Sequence, residues 1–140
     1  MKKFQVFYNG KIYTLEKAFR EGLIDLFQNV IGLLYSDMAL LQSTGLKDDD
    51  GKEIWEGDIL EITEIWEEDL LDEWKEEPIT FRTVVEYKEG GFVVDTPSAE
   101  RFLYNILHDY EFTTKIKVIG NIYENPELLE EAIKWNVMNI

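Results

Sequence analysis

Short runs that alternate apolar and polar residues, each stopped by a glycine-bearing turn, direct most of this chain into antiparallel strands. "FQVFYNGKIYTL" at residues 4–15 shows the pattern most clearly, with aromatic and β-branched residues on either side of Asn9-Gly10. That pair tolerates the positive φ angles of a two-residue type I′ hairpin turn. "MALLQSTGL" (38–46), "GDILEITEIW" (57–66) and "KIKVIGNIYE" (115–124) read as further strands, and "TFRTVVEYKEGGFVVDT" (80–96) reads as a second hairpin bending at Gly90-Gly91. Between the strands lie three helix signals. Leu15, Phe19, Leu23 and Leu26 stand at helical spacing and predict a helix to about Phe27, although Gly22 weakens its second half. "TPSAERFLYNILHDY" opens with Thr96 as a predicted N-cap and Pro97 at the first helical position. "NPELLEEAIKW" offers Asn125 as cap, Pro126 after it and Glu127 in a first turn favoured by the helix dipole. The expected fold is mainly β: coiled antiparallel sheets including a small barrel over residues 57–123, with about three short added helices.

The 140 residues fit one domain, and a chain of that length buries roughly two-thirds of its unfolded surface. Its expected parts are an amino-terminal hairpin and helix (1–36), a β-rich core (37–123) and a carboxy-terminal helix (125–136). A hydrophobic content of 45% supplies the core and argues against wholesale disorder. Cysteine is absent, which removes disulfides, thiolate nucleophiles and Cys-ligated metal centres, and the one histidine, His108, leaves little for imidazole chemistry. "MKKFQVFYNG" has a basic start without an apolar run of signal-peptide length, and no stretch approaches the ~20 apolar residues of a membrane helix. The expectation is a cytoplasmic protein with no membrane partner.

The acidic stretch "TGLKDDDGKEIWEGDILEI" (44–62) poses the main chemical question. A calcium loop of the EF-hand type needs acids at alternating positions before its glycine and a glutamate six residues after it. With that glycine at Gly51, Leu46 stands at the first ligand position and Gly57 at the last, so the pattern fails at both ends. The bland reading is stronger. Asp residues bond their own backbone and Gly51 tolerates positive φ, so this is a turn, with Gly45 and Gly57 bending the chain on either side. Asp58 is placed to accept from nearby backbone amides, and Gly120 to allow a bulge or a close backbone approach. Twenty-nine acidic residues make some carboxylate pair inevitable, so proximity of two acids singles out no catalytic pair. His108 falls near the end of a predicted helix, where it suits the dipole. No phosphate loop, nucleophile elbow or zinc signature is present. Accordingly no catalytic, cofactor or metal residue is assigned.

Net charge is −15, and residues 53–77 hold twelve acids against Lys75 alone. Such a surface repels phosphate backbones and disfavours direct nucleic-acid binding, while basic protein partners become plausible. Within it, Glu64, Trp66, Glu67, Glu68, Asp69, Asp72, Glu73 and Trp74 form the candidate protein-contact surface. Large aromatics among charges anchor interfaces, although they also pin a loop to its own domain. Trp55, at the start of a β segment, is expected in the core or at a barrel mouth.

"LLQSTGLKDDDGKEIWEGDILEI" resembles the signature of the YopX family of phage and prophage proteins, in which a tract like L-Q-x-T-G-L-K-D-x-x-G-K-x-I-x-E-G-D-I-V is typical. "KVIGNIYENPELL" is similar to the family's carboxy-terminal hallmark, "VVEYKEGGFVV" to its central hairpin, and "KFQVFYNGKIYTL" less closely to its opening hairpin, where Val6-Phe7-Tyr8-Asn9 replace the usual R-x-W-D. The matched stretches are 38–62, 83–95 and 116–129. The resemblance implies coiled sheets with an SH3-like barrel and added helices, and a location in the cytoplasm of a bacterial host. It carries no catalytic residues, because the family's function is uncharacterised. The function expected is non-enzymatic protein binding through an acidic surface. A metal-dependent hydrolase or nuclease using carboxylates, an acidic DNA mimic and a self-assembling homo-oligomer are the alternatives.

Overall fold

The computed structural model of the chain describes residues 3–27, 30–33, 37–66, 78–108 and 112–130. They form two compact units, Met1–Ser43 and Thr44–Ile140.

In the first unit, β1 (Phe4–Tyr8) and β2 (Lys11–Thr14) form the expected hairpin, with Asn9 at φ 50° and Gly10 at φ 80°. β1 also pairs antiparallel with the first half of β5 (Ala39–Lys47), placing Val6 opposite Leu40. Helix α1 (Leu15–Arg20) starts where Thr14 accepts from the Lys17 N–H, 3.2 Å away. It then stops well short of Phe27, correcting the sequence expectation. Gly22, at φ 72°, takes the left-handed position that follows a helix, with Leu23 N–H donating to the Ala18 carbonyl and Gly22 N–H to that of Phe19. The chain continues as a hairpin of β3 (Ile24–Phe27) and β4 (Val30–Leu33). Shortening the helix also turns it: Ala18 is buried and Phe19 is 52% exposed. Val6, Ala18, Leu23, Ile24 and Met38 make this unit's core.

In the second unit, the later half of β5 runs beside β6 (Glu53–Trp55), and the Thr44 hydroxyl donates to the Ile54 carbonyl at 2.6 Å. β7 (Asp58–Trp66) lies between β8 (Ile79–Val84) and β12 (Phe112–Asn121), antiparallel to both. Cross-strand partners match chemically: Thr63 and Thr80 share a 2.9 Å hydroxyl bond, and Glu61 lies 3.4 Å from Arg82. The register of β12 slips between Val118 and Gly120, the bulge expected at that glycine. A third sheet orders β11 (Glu100–Phe102), β10 (Gly91–Asp95) and β9 (Glu86–Lys88), followed by α2 (Leu103–Leu107). Leu60, Ile62, Val94, Leu103, Ile106 and Ile116 are among the buried residues of one apolar cluster. A third helix opens at residue 127, and Arg82 donates to its Leu128 carbonyl at 3.0 Å. The sheets are curled and antiparallel and include a half-barrel, with three short helices, in keeping with the sequence reading.

Three local expectations are corrected. "TFRTV" joins β7 rather than "FVVDT", and the β9–β10 hairpin turns at Glu89-Gly90 (φ 51° and 83°), one residue before the expected bend. Thr96 caps no helix. Its hydroxyl donates to the Ala99 carbonyl at 2.7 Å and accepts from the Ala99 N–H, closing the β10–β11 turn, and α2 starts after Phe102 without a side-chain cap. Asn125 turns its side-chain oxygen back to the Asn121 N–H, 3.3 Å away, so it braces the bulge rather than capping the helix after Pro126.

Gly57 is a tight joint. Its N–H donates to Val85, its carbonyl accepts from Ile122, its φ is 87°, and a Cβ there would lie 2.7 Å from Cε2 of Tyr123. Gly57→Ala is expected to cost about 2 kcal/mol or more, from left-handed strain plus the clash. Denaturant midpoints will read it, and adding Tyr123→Ala is expected to remove the clash without removing the strain.

Candidate functional site

The acidic turn is bonded into the fold. Asp48 is 7% exposed; one carboxylate oxygen accepts from Asp50 and Lys52 N–H at 3.0 and 2.8 Å, and the other accepts from Val118 N–H at 3.0 Å. Asp49 pairs with Ile116 in both directions, its carboxylate accepting at 2.7 Å and its N–H donating at 3.0 Å. The two aspartates thus stand in for a neighbouring strand along β12, satisfying amides on its outer edge. Burial pushes the Asp48 carboxyl upward, but the three amides together outweigh it and hold the group below its ordinary value. Among the described residues no three His, Asp or Glu side chains are grouped to hold a metal ion.

Asp58 behaves oppositely. It is 9% exposed and accepts one amide, Trp55 N–H at 2.8 Å, as the sequence suggested. Burial lifts its pKa to about 6, opposed by the Trp55 amide and Lys52 and assisted by the charge of Asp48. A near-neutral carboxyl invites an acid/base reading, but this one is enclosed and already engaged with its own turn.

The open surface lies elsewhere in the same unit. Thr44 and Leu46 of β5, Gly90, Gly91 and Phe92 of the β9–β10 hairpin, and Phe102, Tyr104 and Asn105 line a groove of about 360 Å³. Phe102 and Tyr104 are 46% and 60% exposed. The Cδ1–Cε1 edge of the Phe102 ring packs against Gly91, where a Cβ would meet Cε1 at 2.7 Å, so the glycine makes room for the aromatic. The Tyr104 ring stacks near His108 with centroids 4.2 Å apart. Register puts Gly91 opposite Lys88, Val93 between Glu86 and Phe102, and Asp95 opposite Glu100. One sheet face therefore carries Phe102, Asp95, Glu100, Glu86 and Lys88, with Lys88 Nζ 3.1 Å from Glu86 and 3.0 Å from Glu100. Its bond to Glu100, then that to Glu86, raises the Lys88 pKa.

This groove was missed in sequence because residues 96–102 were read as helix, which hid the alternation that exposes Phe102. Of the acidic contact residues, Glu64 has a side chain 14% exposed and 3.8 Å from Arg101. Trp66 ends β7 with its side chain outside the described residues, and Glu67, Glu68, Asp69, Asp72, Glu73 and Trp74 lie outside them entirely.

Two substitutions separate the aspartates. Asp48→Ala leaves three amides unpartnered and is expected to cost on the order of 3 kcal/mol or more, read from denaturant midpoints. For Asp58, a folded pKa near 6 exceeds the unfolded value of 3.8, so the folded state binds the proton more tightly. The charge then penalises folding fully above pH 6, and the penalty is relieved between about pH 6 and 4. The stability of the parent relative to Asp58→Asn is expected to rise over that interval as pH falls, by at most about 3 kcal/mol. A flat difference would refute it.

Residues 6–130 match the family model described as YopX protein. Among solved structures, the YopX protein of Bacillus subtilis is similar at 21% identity and a TM-score of 0.56, covering 91% of this chain and 97% of that one. A protein of Enterococcus faecalis is similar at 23% identity and a TM-score of 0.48, with coverage of 92% and 98%. No curated protein matches. With nearly its whole length spanned by the family model, the chain belongs to the YopX family.

Proposed function

We propose that this YopX-family chain is a non-enzymatic module that binds a basic polypeptide. The observation that carries the reading is the outer face of the β9–β10–β11 sheet. There Lys88 is paired with Glu86 and Glu100, Asp95 stands opposite Glu100 as a third carboxylate, and the half-exposed Phe102 lies on the same face. Asp95 and Glu100 are directly opposed, an arrangement that costs stability in isolation and is relieved by a cationic partner. The net charge of −15 adds long-range attraction for such a partner, and the acids of residues 64–77 extend the same sign. Meanwhile the buried carboxylates of Asp48 and Asp58 serve main-chain amides, which supports an architectural role for them.

The test is capture from bacterial lysate at low and high salt. Bait is the parent chain, a variant with residues 64–77 replaced by a Gly/Ser linker, and the double variant Asp95→Asn, Glu100→Gln. A basic protein is expected at low salt, released at high salt and lost or weakened in at least one variant. Equal capture by all three baits, or salt-insensitive capture, overturns the reading. Mg²⁺, Mn²⁺ and Ca²⁺ are expected to leave the melting temperature unchanged. A rise of several degrees would instead favour a metal-dependent enzyme, since a native-state ligand raises stability.

A further inference from the structure

We infer that the groove beside Phe102 and Tyr104 seats an arginine side chain of an extended segment of the partner. The inference rests on the binding-module reading and adds the residue that is recognised. At about 360 Å³ the groove falls at the lower end of ligand-site volumes, enough for one long side chain with part of its backbone. Its lining is largely aromatic and aliphatic, from Leu46, Phe92, Phe102 and Tyr104, with Thr44 and Asn105 as polar members. An anionic occupant would meet the wrong field, because Glu100 is two residues along the strand from Phe102 on the same face, about 7 Å away. A purely apolar occupant would use the walls and leave unanswered the negative surplus of that face, three carboxylates against Lys88.

Arginine answers both. Its three-methylene stem packs on apolar walls, its planar guanidinium stacks on an aromatic face, and its fork of donors reaches carboxylate and amide oxygens together. Lysine offers a compact, strongly hydrated charge that neither stacks nor forks. Phe102 is already held in place for such stacking, since its ring edge packs against Gly91 and the turn at Glu89-Gly90 fixes that strand's start. Little ordering is then left for the binding step.

The probe is a short peptide, acetyl-Lys-Gly-X-Gly-Lys-amide, with X as arginine, lysine or norleucine, titrated into the full ¹⁵N-labelled chain. The arginine peptide is expected to bind on the order of tenfold tighter than the other two. Its shifts are expected to centre on the amides of Gly91, Phe102, Tyr104 and Asn105. Phe102→Ala removes an exposed ring, leaves the fold intact and is expected to abolish the arginine preference. Gly91→Ala, which drives a Cβ into that ring, is expected to weaken the preference. If all three peptides bind equally and salt-sensitively, the groove assignment is overturned while the acidic-surface reading stands. A norleucine preference, or an arginine preference that survives Phe102→Ala, also overturns the assignment. Binding of no peptide overturns it together with the electrostatic reading beneath it.

Discussion

Three main-chain N–H groups converge on the carboxylate of Asp48: two from its own turn, and one from Val118, 70 residues further along. With Asp49 and Ile116 bonded beside them, the turn runs along β12 where a further strand would otherwise be. β12 pairs with β7 on its inner side, β7 pairs with β8, and Val85 after β8 bonds to Gly57 and Asp58 at the start of β7. β12 thus sits between the turn and the three-stranded sheet's central strand. Hydrogen bonds to a charged acceptor are worth more than neutral ones, about 1.5–3 kcal/mol each, and a side-chain oxygen imposes no register of its own. A turn that supplies acceptors can therefore close an edge at a bulged strand that a regular strand would pair with imperfectly.

Asp48 and Asp58 are held in opposite states. For both the largest influence is burial, which raises the pKa, and it weighs more heavily on Asp58. At Asp48 three amides and the charge of Lys52 reverse it, whereas at Asp58 one amide and Lys52 leave the carboxyl near 6. At both positions the carboxylate serves backbone groups that need an acceptor. An acid-rich signature can thus be wholly architectural, and its density is a poor guide to a site.

Where period-2 alternation ran between short glycine turns, the fold was legible: the β1–β2 hairpin, β5, β7 and β12 fall where the sequence placed them. Failures came where two local codes overlapped. Leu15, Phe19, Leu23 and Leu26 fit a helical period, yet Gly22 ends the helix, and the next residues alternate as a hairpin just as well. Thr96-Pro97 is a strong helix start in isolation, but in Thr96 the same hydroxyl closes a tight turn onto Ala99 and lets β11 pair with β10 first. Misreading that one segment concealed the groove, because its exposed rings become neighbours of Gly91 only once β11 is a strand. Gly57 was readable as a bend and Gly120 as a bulge or close approach, while their partners, Tyr123 and Asn125, were not.

In this chain the side chains that build the fold and those that face outward are largely different sets. The matched tracts at 38–62 and 116–129 contribute buried Ile54, Leu60, Ile62 and Ile116, together with the amide-binding acids. Phe102, Tyr104 and Asn105 sit between the tracts, and the acids of 64–77 sit between them too. Substitutions at exposed positions cost a domain little, whereas Asp48 or Gly57 cannot change without leaving orphaned amides or a strained joint. The third matched stretch, 83–95, contributes to both sets: Val85 and Val94 are buried, while Glu86, Lys88 and Asp95 belong to the outer sheet face. The proposed contact surface therefore draws on residues inside the matched stretches as well as on Phe102, Tyr104 and Asn105 outside them.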